Sequence, residues 1–311
     1  MRSQPSTMGS ASRSSIRSTV MSDLVEQIKL ALGQLGDRPW LPELTAHLVQ
    51  AGWEDLSRKK GLSPSNYGTA RVIAYNADAQ RNVIARISRP LDFEHLNEPI
   101  QIEILNESFA REYIETGIRF YTEDEIKGGH LLNCIEDAIN ILEHVPTLSP
   151  TVTSLVRSLH LIKAEDDDYD ISFSEPHIPF SIFISVPQER STINILRVAE
   201  AVVHEAMHLQ LTLIEEIVPL VNSTNGKYFS PWREELRNAQ GMLHGLYAFC
   251  VINRFLSVVQ SFFLSDSYLM KYIDSRLSEI HDQINQISSF QESKDLTAFG
   301  KRFTQWLLPS V

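Results

Sequence analysis

The stretch STINILRVAEAVVHEAMHLQLTLIEE, residues 191–216, decides the reading of the whole chain. Its apolar residues return at helical spacing, so 192–217 is expected to be one long helix. Inside it lies His204-Glu205-Ala206-Met207-His208, an H-E-x-x-H. On a helix His204 and His208 stand one turn apart on one face, and two imidazoles at that spacing reach a single metal ion. Val202, Val203, Met207 and Leu209 surround the motif and predict its burial. Two histidines buried together need a partner, and a metal ion is the least costly one. Glu200, one turn earlier on the same stripe, is expected to accept the outer N–H of a ligating histidine. Glu205 is the catalytic candidate, because a carboxylate beside a metal-bound water acts as a general base.

A third ligand has to come from elsewhere. Glu215 lies on the same side of the helix, but the rise per residue puts it roughly 10 Å beyond His208, too far to share the ion. The segment YFSPWREELRNAQGMLHGLYAF, residues 228–249, supplies the candidates. Ser230 reads as an N-cap, Pro231 as the first helical residue, and Glu234 and Glu235 as first-turn acids. A helix from about 231 to 263 would place His244, Arg237 and Arg233 on one stripe. His244 is the preferred third ligand, with Glu205 or Glu235 next. Gly241 and Gly245 flank it, and helix-interior glycines, each costing about 1 kcal/mol against alanine, mark a close approach. On such a helix Arg237 stands roughly 10 Å from a metal at His244. A small dicarboxylate spans that gap, chelating the metal with one end and meeting the guanidinium with the other, with Arg233 as the second choice.

Outward from this centre the chain is expected to be α+β and mostly α-helical, with a small β-sheet and a zincin-like pair of metal-binding helices. Residues 1–20 are rich in Ser and Arg, lack acids, and read as a disordered tail before a start at Met21. Residues 21–150 read as a helical region, with helices from Ser22, over Pro42 to Leu56, 69–87, Glu107 to Phe120 and Gly129 to Glu143. IQIEIL, residues 100–105, is a short strand, and VPTLSP, residues 145–150, a boundary. Residues 151–311 form the metal-binding catalytic domain. SLVRSLHLIKA, DYDISFS and FSIFISV supply its two or three strands, and Glu165 to Asp168 a solvated loop. Helices follow to the end, over 192–217, 231–263, 265–287 and 295–307.

Composition narrows the partners. The 311 residues are 43% hydrophobic and carry a formal net charge of −11. An acidic protein lacks the positive field that phosphate backbones require, so no nucleic acid is expected. No run of about 18 apolar residues occurs, so no membrane span is expected. Two cysteines, Cys134 and Cys250, build neither a disulfide framework nor a thiolate zinc site, which suggests a cytoplasmic setting. The oligomeric state stays open.

In combination, HEAMH at 204–208, YFSPWREELR at 228–237 and GMLHGLYAF at 241–249 resemble the H-E-x-x-H family of 2-oxoglutarate-dependent peptide β-hydroxylases, which act on ribosomally made, modified peptides. The family pattern has H-E-x-x-H, a P-W-R, a further Arg and a downstream H-G followed by an aromatic. SFSEPHIPFSIFIS, residues 172–185, resembles the segment before the metal helix, with Phe180 and Ser181 where a Pro-Gly turn is common. The likeness covers roughly residues 150–260. It implies iron(II), 2-oxoglutarate and dioxygen, and hydroxylation of a side-chain β-carbon in a peptide substrate, with or without a leader sequence. A zinc metallopeptidase with Glu205 as general base is the alternative reading, and a metal-free peptide-binding scaffold the third.

Overall fold

The computed structural model describes residues 22–32, 38–61, 81–87, 100–128, 130–164, 170–175, 178–223 and 225–308. The N-terminal tail, the first part of the 69–87 helical reading and the Glu165 to Asp168 run lie outside them. The chain is α+β and mostly helical, as expected, with one small mixed sheet. Helix α1 covers 22–31 and α2 Pro42–Lys59, followed by strands β1 (Arg81–Ile87) and β2 (Ile100–Leu105). Helices α3 (Glu107–Glu115), α4 (Glu123–Lys127), α5 (His130–Leu142) and α6 (Leu148–Leu155) lead to β3 (Ser158–Lys163), β4 (Ser172–Ser174) and β5 (Ser181–Val186). The long helix α7 (Thr192–Glu215) comes next, then the ribbon β6 (Tyr228–Ser230) and β7 (Glu235–Arg237). Helices α8 (Ala239–Val259), α9 (Ser267–Gln286) and α10 (Ala298–Leu307) complete the order.

The sheet runs β1-β2-β3-β5-β4, with the outer pairs antiparallel and the β2–β3 and β3–β5 pairs parallel. Its central strands β3 and β5 are buried almost throughout, as strands covered on both faces are, and carry Ser158, His160, Ser181 and Ser185 into the interior beside their apolar residues. Strand β1 corrects the helical reading of residues 81–87. RNVIARI carries β-branched residues that β2 captures in an antiparallel ladder. The sheet takes strands from both sides of residue 150, and Pro150 sits in the first turn of α6, where its missing N–H costs nothing. One buried apolar cluster runs from Leu24 to Leu307 through both halves.

The core fixes the sheet against the helices through a few large contacts. Trp53 of α2 is fully buried and stacks on Phe180 at 4.3 Å. Burying 150–250 Å² of indole at roughly 25 cal/mol/Å² is worth about 4–6 kcal/mol. That offsets the backbone cost at Phe180, whose φ of 59° lies in the left-handed region that glycine enters freely. Helix α8 and the turn after it, Ala239–Phe262, are long and apolar enough to cross a membrane by length and composition, and much of the segment is buried in the core. Its apolarity is that of a central helix, packed on α7, α9 and α10.

Candidate metal centre

Helix α7 forms because Ser191 caps it, its hydroxyl accepting from Asn194 N–H at 3.1 Å, and because its apolar stripe faces β5, α5 and α8. Helix α8 starts at Asn238, whose side chain accepts from Gly241 N–H at 2.8 Å. This corrects the expected start at Ser230. Residues 228–237 form the β6–β7 ribbon, with Phe229 paired to Leu236, and Pro231 to Glu234 make its turn. Glu234 holds a φ of 53°, which no helix allows. Arg233, Arg237 and His244 therefore share no helical stripe, and Glu234 and Glu235 cap no helix.

A buried glutamine sets the register of the two helices. Gln210 of α7 donates to the Trp40 carbonyl at 2.9 Å and to the Thr45 hydroxyl at 2.9 Å, and accepts from the Tyr247 hydroxyl of α8. Leaving any of these groups unpaired in the interior costs about 1–3 kcal/mol, so the helices cannot slide. Two residues from Gln210 stands His208, and three from Tyr247 stands His244.

The three histidines form a row. His204 Nε2 lies 2.9 Å from His208 Nε2, and His208 Nδ1 lies 3.1 Å from His244 Nδ1. His244 thus meets His208 at its other ring nitrogen. The compact donor cluster is His204, Glu205 and His208, whose ligand atoms all lie within 4.8 Å of one another. At metal–nitrogen bonds of about 2.1 Å, two donors at right angles sit roughly 3.0 Å apart, so the first pair is spaced for a shared ion. Burial pushes His204 down to about 3, helped by the nearby Arg233 charge, and holds His208 well below its usual range. Neutral imidazoles are the form a cation binds.

Glu205 is 2% exposed, accepts from the Ser172 hydroxyl at 2.7 Å, and lies 3.9 Å from His204 Nε2. Burial raises its carboxyl to about 7, against the Ser172 hydrogen bond and the Arg233 charge. Glu200 does not serve His204. It accepts from the Tyr272 hydroxyl at 2.8 Å and from Arg276 at 3.2 Å, which ties α7 to α9. Glu215 is too far along α7 to join the His204–His208 pair, but its carboxylate lies 3.0 Å from His244 Nε2. That partnership crosses between helices, so spacing along one helix could not reveal it.

At its His204 end the row meets a cleft of about 810 Å³. His204, Trp232, Arg233, Tyr272 and Arg276 are among its lining residues. Arg276 is paired with Glu200 and Glu279, and Arg237 pairs with Glu235 at 2.8 Å. The Arg233 backbone N–H donates to the Ser230 carbonyl at 3.3 Å, while its guanidinium makes no ion pair or hydrogen bond among the described residues. Trp232 lies flat on Phe249 at 5.0 Å and presses against Gly245. The glycines beside His244 therefore make room for Trp232 and for the Arg237 side chain. The chain matches no protein-family model, and no curated protein is similar enough to be matched.

Proposed function

We propose that the protein is an iron(II)- and 2-oxoglutarate-dependent dioxygenase that hydroxylates a side-chain β-carbon of a peptide, with α7 and α8 as a zincin-like pair of metal-site helices. The observation that carries the reading is the His204–His208 pair, 2.9 Å apart, with His204 in the wall of a cleft that is also lined by Arg233, whose guanidinium is unpaired among the described residues. The donor set fits a divalent ion of borderline softness, since imidazoles beside a carboxylate are the ligands that suit iron(II) or zinc. His204 and His208 would hold it. Two side chains compete for the third place, His244 at the far nitrogen of His208 and Glu205 within the cluster.

Bound iron(II), with 2-oxoglutarate and dioxygen, supplies the oxidising power to insert one oxygen atom into an unactivated C–H bond, releasing succinate and carbon dioxide. The chain's own groups do the rest. Arg233 receives the distal carboxylate of 2-oxoglutarate through its planar fork, because it lines the cleft, whereas Arg237 is not among the cleft's lining residues and pairs with Glu235 on the exposed ribbon. Ser172 holds the Glu205 carboxyl in one orientation. Phe249, Ile252 and the Tyr272 ring give the cleft an apolar wall that limits water beside the metal pair.

Incubation with iron(II), 2-oxoglutarate, ascorbate and a peptide tests the reading by mass. A gain of one oxygen and formation of succinate support it, and peptide fragments refute it. Fragments would favour the second reading, a zinc metallopeptidase. One feature points that way: a buried Glu205 carboxyl raised to about 7 is matched to work as a general base near neutral pH.

A further inference from the structure

The hydrogen-bonding capacity of the histidine row allows only one arrangement in which His204 and His208 share an ion through Nε2. His208 must then bear its proton on Nδ1, because a neutral imidazole carries one N–H and the ion needs the other lone pair. Its Nδ1 faces His244 Nδ1 at 3.1 Å, so that nitrogen must accept. The His244 proton then sits on Nε2, 3.0 Å from the Glu215 carboxylate, which can only accept. Gln240 steadies the same carboxylate oxygen, donating to it at 3.0 Å. Every donor finds an acceptor from Glu215 to the bare Nε2 of His208. If His244 were itself a ligand, His208 would have to face that ion with Nδ1 and His204's ion with Nε2, and one ring cannot serve one ion from both edges.

From this we propose that His244 is a link and not a ligand. Glu215 and His244 are positioning residues that fix the His208 tautomer and present its Nε2 to the metal, leaving Glu205 as the third donor. The proposal rests on the metal-dependent reading above. It extends that reading to two residues outside the H-E-x-x-H, one of them seven residues beyond it on the same helix.

Cobalt(II) is the probe. Its affinity is measured by chelator competition and its coordination by the visible absorption of the bound ion, with thermal melting of the metal-free protein as a fold check. His244→Ala and Glu215→Ala should each weaken cobalt binding by about 10–100-fold, the usual cost of losing a group that orients a ligating histidine. His244→Asn is the rescue, because its amide oxygen takes the place of Nδ1 as acceptor for the His208 N–H. It should recover most of the affinity and leave the cobalt spectrum at the parent's shape. His204→Ala should abolish binding. The link role is overturned if His244→Asn loses cobalt as completely as His204→Ala, or binds it with an altered spectrum, either of which makes His244 a ligand. It is also overturned if Glu215→Ala binds like the parent. A parent that takes up no metal refutes the metal-dependent reading itself.

Discussion

Alanine at Gly245 should reverse its effect on stability according to whether Trp232 is present. A Cβ at Gly245 would lie 2.8 Å from Trp232 Cε3 and 2.9 Å from Cζ3. The indole cannot retreat freely, since it rests on Phe249 at a 7° interplanar angle. Overpacking of this kind costs about 1–3 kcal/mol. Against it, replacing a helix-interior glycine by alanine gains about 1 kcal/mol. The net for Gly245→Ala is a loss of about 1 kcal/mol. In a Trp232→Ala background the clash is gone and only the gain of about 1 kcal/mol remains, so the two backgrounds differ by about 2 kcal/mol, within the usual coupling for residues in contact. Urea denaturation of the four metal-free proteins measures this cycle. The packing account is refuted if Gly245→Ala shifts stability by the same sign and size with and without Trp232. Because Arg233 follows Trp232, the same substitution should also raise the 2-oxoglutarate concentration at half-saturation.

The arginines should separate cleanly. Arg233→Lys should weaken 2-oxoglutarate by about 10–100-fold, because lysine keeps the charge and loses the fork, while Arg237→Lys should leave it unchanged; succinate release against 2-oxoglutarate concentration reads both. Zinc or cobalt at 100 times its dissociation constant should stabilise the parent by about 2.7 kcal/mol and His204→Ala not at all, seen as a shift in melting temperature that a chelator reverses. Glu205→Gln should retain metal and lose peptide cleavage if the protein is a peptidase, whereas loss of metal affinity marks the carboxylate as a ligand; metal content and turnover are measured together. Glu125 binds Lys163 and the Thr122 N–H and hydroxyl, which lowers its carboxyl from 4.5 to about 2. The folded state holds its proton less tightly than the unfolded one, so Glu125's contribution is complete above pH 4.5 and fades as pH falls towards 2. Carbon-detected NMR titration of Glu125 in Lys163→Met should show its pKa rise.

Much of the candidate site was legible because it is local. The i, i+4 histidines, the burial around them and the Ser191 start are properties of one helix, and one helix is written in its own periodicity. The glycines beside His244 were also readable as a close approach, though not what approached. The misreadings share a cause. Ser230-Pro231 and Asn238 are both sound helix starts by local chemistry, and the choice fell to Asn238 because Tyr228 to Ser230 pair with Glu235 to Arg237 across a turn. RNVIARI fits either period until β2 lies beside it. Glu200 stood on the right stripe for His204, but Tyr272 and Arg276 of a distant helix claimed its oxygens.

By itself the sequence determined the helix-rich composition, the edges of α5, α7 and α9 to within about two residues, the strand runs β2, β3 and β5, and the one-turn spacing of His204 and His208. Each is set by hydrogen bonds and side-chain spacing within a few residues. Only the tertiary structure decided which nitrogen of His208 meets His244, that Glu215 backs His244, that Arg233 faces the cleft while Arg237 pairs with Glu235, and that β1 is a strand. Those outcomes depend on groups far apart in the chain, such as Gln210 locking α7 to α2 and α8, where the cost of an unpaired buried polar group selects one register.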